Sequence, residues 1–172
     1  MTAPWRRVWI GLGANLGDPA ANVLAAAHRL SAEPGTRAPR ISDLYETAPW
    51  GRTDQPWFVN AVVELETTLA PDALLDRLLA IELELGRVRS DHWGPRTIDL
   101  DYLLDERATA DGARLTLPHR ELENRAFVLA PLAELRPGLL LPSGQTIEAR
   151  LRDLSADQAV RRMGTMPRWP AP

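Results

Sequence analysis

Phe58-Val59-Asn60-Ala61-Val62-Val63-Glu64-Leu65-Glu66 repeats with period two. In an extended chain Val59, Ala61, Val63 and Leu65 share one face, and Phe58, Asn60, Val62, Glu64 and Glu66 share the other. A strand over residues 58–69 is expected, with one face on the core. Buried strands of a doubly wound parallel sheet read as continuous apolar runs instead, so the alternation favours an antiparallel sheet. Helical patterns interleave with such strands, which makes the fold class α+β.

Working outward, residues 8–12 read as a first strand. The following Gly-Ala-Asn-Leu-Gly-Asp-Pro reads as a tight turn into a helix reaching residue 30, with Asp18 as N-cap and Pro19 at the first helical position. Gly11, Gly13 and Gly17 are spaced G-x-G-x-x-x-G, which departs from the dinucleotide fingerprint, and they suit a strand-to-helix turn. Residues 31–40, with Pro34-Gly35 and Pro39, read as loop, 41–47 as strand and 48–56 as loop. The strongest helix pattern spans 71–85, from Pro71 to the stop at Gly86. Residues 97–104 return to strand. A short strand near Ala108, a turn at Asp111-Gly112 and an extended stretch over 115–119 precede a third helix, 121–135, interrupted by Pro131. A short helix over 146–154 and a last strand near 159–163 complete the domain expected over residues 1–163. Residues 164–172, rich in proline, form an expected tail.

A chain of 172 residues suffices for one core. Its 45% hydrophobic and 25% charged content is ordinary for a globular protein, and a net charge of -3 argues against nucleic acid as the main partner. Cysteine is absent, which excludes disulfides, thiolate metal sites and a cysteine nucleophile. The apolar run after Arg6-Arg7 stops at Asn15, too early for a secretory signal, and no stretch approaches the ~20 residues of a membrane helix. A cytoplasmic monomer acting on small molecules is the expectation.

The chemistry concentrates in Gly86-Arg87-Val88-Arg89-Ser90-Asp91-His92-Trp93-Gly94-Pro95-Arg96-Thr97-Ile98-Asp99-Leu100-Asp101. On a strand, Asp99 and Asp101 point to one face about 6.6 Å apart, while Ile98, Leu100, Tyr102 and Leu104 point to the other. Two carboxylates so placed suit one shared cation or a pair of cations held between them, and oxygen ligands without nearby histidine favour magnesium over zinc. An ordinary solvated strand face is the alternative. Arg87, Arg89 and Arg96 are permanently charged forks suited to phosphate oxygens, although salt bridges with Glu82, Glu84 or Asp91 also explain them. Trp93 suits stacking on a planar ligand or plugging of its loop. Phe58 and Asn60 share a face, so a stacking ring and an amide present together; core packing of the phenylalanines is the competing reading.

Gly86-Arg87-Val88-Arg89 followed by Trp93-Gly94-Pro95-Arg96-Thr97-Ile98-Asp99-Leu100-Asp101 resembles the signature of the 6-hydroxymethyl-7,8-dihydropterin pyrophosphokinase family of folate biosynthesis. Four further blocks match in order: Gly11-Leu12-Gly13-Ala14-Asn15-Leu16-Gly17, Tyr45-Glu46-Thr47-Ala48-Pro49-Trp50-Gly51, Asp54-Gln55-Pro56-Trp57-Phe58-Val59-Asn60-Ala61, and Leu117-Pro118-His119 with Asn124-Arg125-Ala126-Phe127. The resemblance implies a ferredoxin-like three-layer α/β/α arrangement around a mostly antiparallel sheet. It also implies pyrophosphoryl transfer from ATP to the pterin's hydroxymethyl group, with two Mg2+ ions on Asp99 and Asp101. Arg87 and Arg96 would serve catalysis by binding phosphates. Glu82, Arg89, Thr116, His119 and Arg125 would lie with them on the nucleotide side. Phe58 and Phe127 would sandwich the pterin, and Thr47, Pro49, Trp50, Asn60 and Trp93 would complete its pocket. Three departures stand out: Phe58 where tyrosine is frequent, the short Ser90-Asp91-His92 segment, and Arg120 in place of an aromatic residue.

Overall fold

The computed structural model describes residues 3–88 and 94–164. The sheet is assembled on β4 (Phe58–Thr67). Along one edge β4 pairs with β1 (Arg6–Ala14), from Arg6↔Thr67 to Ala14↔Val59. Its other edge is shared by β2 (Thr36–Ile41) and β3 (Tyr45–Thr47). Outside β1 lies β5 (Asp99–Asp105), and outside β3 lies the short β8 (Val160–Arg162). The order is therefore β5-β1-β4-β3-β8 with β2 beside β4, and every strand pairing among the described residues is antiparallel. A separate hairpin joins β6 (Ala110–Asp111) to β7 (Thr116–Leu117).

Helices α1 (Pro19–Ser31) and α2 (Pro71–Glu84) cover one face; α3 (Ala126–Leu135) and α4 (Ile147–Leu154) cover the other. On the first, Val8, Ile10 and Leu12 of β1 and Val59, Ala61, Val63 and Leu65 of β4 meet Val23, Leu30, Leu74, Leu78 and Ile81. On the second, Trp9, Val62 and Leu103 meet Val128, Leu129, Leu132 and Ile147. Asp18 caps α1 as its sequence predicts, its Oδ1 accepting from the Ala21 N–H at 3.1 Å, with Pro19 in the first turn. Gly86, at φ +86°, follows the end of α2.

Several expectations need correction. β4 is buried on both faces, not one: Val62 is 0% and Glu64 4% exposed. Glu64 is tolerated there because it accepts from Trp9 Nε1 (3.2 Å) and pairs with Arg40. The stretch read as loop contains β2; Pro39 misled because proline is admitted to edge strands, and the β2–β4 register slips between Arg37 and Arg40. Gly13 belongs to β1, as Gly11 does, rather than to the turn, where only Gly17 takes a positive φ (+65°). The β1–β5 register shifts between Trp9 and Ile10, so Leu104 packs with the α3 cluster rather than beside Tyr102. Residues 122–124 form a 3-10 turn and α3 begins only at Ala126, then runs through Pro131 without interruption.

Candidate active site

A cleft of about 710 Å³, open to solvent, lies on the α3 side of the sheet. Its floor is β1. Gly11 pairs with Val62 on one side and Asp101 on the other, and Gly13 pairs with Asn60 and Asp99. Because Gly11 and Gly13 lack side chains, nothing rises between the β5 carboxylates and the β4 residues Phe58 and Asn60. Two strand spacings, about 10 Å, separate these walls. A Cβ at Gly13 would lie 2.7 Å from Asn60 Oδ1, so this glycine serves close approach, not turning.

On the acidic wall, Asp99 Oδ1 accepts from Arg87 Nη1 at 2.7 Å and its Oδ2 accepts from Arg96. Arg87 Nη1 also lies 2.5 Å from Glu82 Oε2, and Glu82 Oε1 accepts the Leu100 N–H at 2.7 Å. Glu82 thus ties α2 to β5 behind Asp99. Burial, above all, pushes Glu82 up to about 7. Asp101 is also pushed up to about 7, by burial first and then by the charge of Asp99, although 32% of its side chain is exposed and the Arg125 guanidinium stands 3.9 Å away. Without a cation, burial and the crowding of carboxyls on the acidic wall therefore favour protonation of Glu82 and Asp101 at higher pH than in a free carboxyl.

The opposite wall is aromatic. Thr47, Trp50, Phe58, Asn60 and Phe127 line it, with Asn60 Nδ2 donating to Thr47 Oγ1 at 2.6 Å. Arg125 spans the two walls, its guanidinium carbon 5.2 Å from the Trp50 ring centre and 5.7 Å from that of Phe127.

Most of the expected residues converge on this cleft: Asp99, Asp101, Arg96, Arg125, Thr47, Trp50, Phe58, Asn60 and Phe127. Arg87 and Glu82 stand behind Asp99. Pro49 lines a smaller adjoining hollow that shares Thr47, Trp50 and Phe127 with the cleft. Thr116 and His119 are outside its lining, beyond the outer edge of β5, where the His119 N–H donates to Leu103 O at 2.9 Å. The His119 Nδ1 accepts from the Glu121 N–H at 3.1 Å and so carries no proton there; burial, then Arg125, lowers its pKa. Thr116 accepts from Arg120 Nε at 3.2 Å. Arg89 and Trp93, together with Ser90, Asp91 and His92, lie outside the described residues.

Asn15 is the residue that sequence reading left without a role. Only 3% exposed, it accepts the Arg96 N–H at 2.8 Å through Oδ1 and donates through Nδ2 to Gln55 Oε1 and Pro56 O, both at 3.0 Å. Its own N–H donates to Arg96 O at 3.0 Å. One amide thereby fastens the turn after β1, the loop before β4 and the entry to β5. A lone asparagine in a glycine-rich turn was the available signal.

Such a fold and cleft define an α+β enzyme with an acidic, arginine-fed half-site facing an aromatic one. The family model for 7,8-dihydro-6-hydroxymethylpterin-pyrophosphokinase matches residues 9–137. A 2-amino-4-hydroxy-6-hydroxymethyldihydropteridine pyrophosphokinase from Methylorubrum extorquens is 49% identical over 148 residues, covering 86% of this chain and 93% of that one. Proteins of the same name from Pseudomonas aeruginosa (51% over 140 residues, 81% and 86%) and Haemophilus influenzae (40% over 153 residues, 89% and 96%) are similar throughout. The chain belongs to the 7,8-dihydro-6-hydroxymethylpterin-pyrophosphokinase family. Among solved structures, wild-type Plasmodium falciparum HPPK-DHPS with pteroate superposes with a TM-score of 0.70 at 16% identity, covering 89% of this chain. The present chain spans 43% of that longer one, and the likeness bears on the fold alone.

Proposed function

We propose that the cleft transfers pyrophosphate from ATP to the hydroxymethyl group of 6-hydroxymethyl-7,8-dihydropterin, giving AMP and the pterin diphosphate of folate biosynthesis. Family membership supports the reaction. The observation that carries it to these residues is the glycine floor, across which Asp99 and Asp101 face Phe58 and Asn60.

The donor set suits magnesium. Among the described residues no group of three His, Cys, Asp or Glu could cage a metal, so the protein offers two carboxylates and leaves further positions for substrate oxygens and water. Mg2+ prefers this arrangement, and zinc does not. Asp99 and Asp101 would hold the ions, two in this reading, which when bound would neutralise and align the triphosphate. Arg87 and Arg96, now on Asp99, would turn to phosphate oxygens and stabilise charge developing in transfer. Arg125 would bridge the phosphates and the aromatic wall. Glu82 fixes Arg87, and Arg89, Thr116 and His119 are assigned to the nucleotide side.

For the acceptor, Phe58 and Phe127 would stack on the ring, while Asn60 and Thr47 meet its hydrogen-bonding edge. Trp50, Pro49 and Trp93 would close the pocket. The chain's residues therefore act by orientation and charge more than by covalent chemistry. The two-faced sheet is read as the ferredoxin-like three-layer arrangement, working as a monomer in the cytoplasm; no helix among the described residues is long and apolar enough to cross a membrane. Incubation with ATP, Mg2+ and the hydroxymethyl dihydropterin should release AMP in step with pterin diphosphate. Release of ADP, or no AMP at all, overturns the assignment.

A further inference from the structure

The family match ends at residue 137, yet the chain beyond it returns to the hollow that adjoins the cleft. After α4 the backbone passes Gln158 and enters β8, which pairs with β3 through Thr47↔Val160, Glu46↔Arg161 and Tyr45↔Arg162. The Ala48 N–H donates to Ala159 O at 3.2 Å, extending this attachment to the start of the loop that carries Trp50. This returning segment is thus fixed to the wall that holds Thr47.

Gln158 joins it to the start of α3. Its Oε1 accepts the Ala126 N–H at 2.8 Å, and its Nε2 donates to Asn124 O at 2.8 Å. Both partners flank Arg125, and the first belongs to the opening turn of α3, whose N-cap residue, Arg125, makes no side-chain capping bond. Helix N-termini carry unsatisfied N–H groups, so a side-chain oxygen from a distant segment does what a local Ser, Asp or Asn would do elsewhere. The two side chains held by this junction are Arg125 and Phe127, both on the cleft. Gln158 is itself absent from the cleft lining but lines the adjoining hollow behind Trp50 and Phe127.

We propose that Gln158 is a positioning residue for the acceptor pocket: it clamps the start of α3 to the β3–β8 wall and so sets the spacing between Phe127 and the residues facing it. The inference rests on the pterin reading of that pocket. Neither bond of Gln158 touches the elements carrying Asp99, and of the side chains on the nucleotide side only Arg125 lies at this junction, so the larger effect falls on acceptor binding and the smaller on the nucleotide.

The test compares Gln158→Ala and Gln158→Glu with wild type by steady-state kinetics, thermal unfolding and amide hydrogen exchange. Loss of a cap of this type predicts that Gln158→Ala raises KM for the pterin about fivefold, with KM for ATP within about twofold of wild type. Exchange at Ala126 should quicken while the core strands stay protected. Gln158→Glu keeps an acceptor for the Ala126 N–H and should recover part of the pterin KM, although it gives up the bond to Asn124 O. An unchanged pterin KM in folded Gln158→Ala overturns the proposal. So does an equal rise in both KM values with loss of protection throughout, which marks a merely structural residue. Wild type that releases no AMP removes the functional reading beneath it, an outcome distinct from an active wild type whose Gln158 variants behave normally.

Discussion

Asp101 is where stability and function pull apart. A carboxyl whose pKa is raised on folding, here from 3.8 to about 7, binds its proton more tightly in the folded chain. Stability of the unliganded protein should therefore fall as pH rises from about 4 to about 7, with Glu82 adding to the same slope. Asp105 and Glu33 are shifted the other way by their arginine and tyrosine partners, and protect the fold down to the acid side of that window. Asp101→Asn should reduce the slope in thermal melts across pH 5–7 while lowering turnover by about 100-fold or more, as loss of a charge-stabilising group does. A variant that keeps both the slope and the activity would remove Asp101 from the proposed role. Gly13→Ala is the complementary test of the floor. With its Cβ 2.7 Å from Asn60 Oδ1, it should cost about 1–3 kcal/mol by overpacking and raise the pterin KM, measured by denaturant unfolding and kinetics.

At the scale of elements, Glu82 holds α2 against β5 by accepting the buried Leu100 N–H. Glu82→Ala leaves that donor without its carboxylate and should cost about 1–3 kcal/mol, whereas Glu82→Gln keeps an acceptor and should cost less. Equal losses in urea melts would refute the account. The elements that could be read from sequence are those whose signals are local. α1 announces itself by Asp18-Pro19, β4 by its alternation, and the Asp99, Asp101 face by period two on β5. What escaped depends on partners far away in sequence. β2 hid behind Pro39, the second buried face of β4 depends on α3, and the 3-10 turn before α3 has no pattern of its own. In the site, Phe58 and Asn60 were legible as a shared face and the remaining wall only through resemblance. Asn15 and Gln158 were not, since their bonds to Arg96 and Ala126 cross 81 and 32 residues.

For the molecule as a whole, the resting charge arrangement links the two proposed ligands. Arg87 and Arg96 occupy Asp99, so a cation arriving alone must displace them and leave two guanidinium groups without that partner. A nucleotide arriving with the cation supplies phosphate oxygens for the same arginines, which makes the two bindings mutually favourable. Mg2+ alone should scarcely raise the melting temperature at concentrations where Mg2+ with ATP raises it by several degrees, as expected for a ligand far above its Kd. An equal rise with Mg2+ alone would show that the arginines impose no barrier. Chelation with EDTA should abolish AMP release and leave the fold intact, because both core clusters close without any carboxylate of the cleft.

The bare stretch of β1 has a last consequence. Side chains reach across most pockets by torsions that can be reset, but here the span between the facing walls is ruled by backbone hydrogen bonds from β4 through Gly13 to β5. The sheet acts as a fixed gauge, about two strand spacings wide. Substitutions in either wall can change what is gripped, whereas the reach from ring to carboxylate stays constant until the strands themselves part.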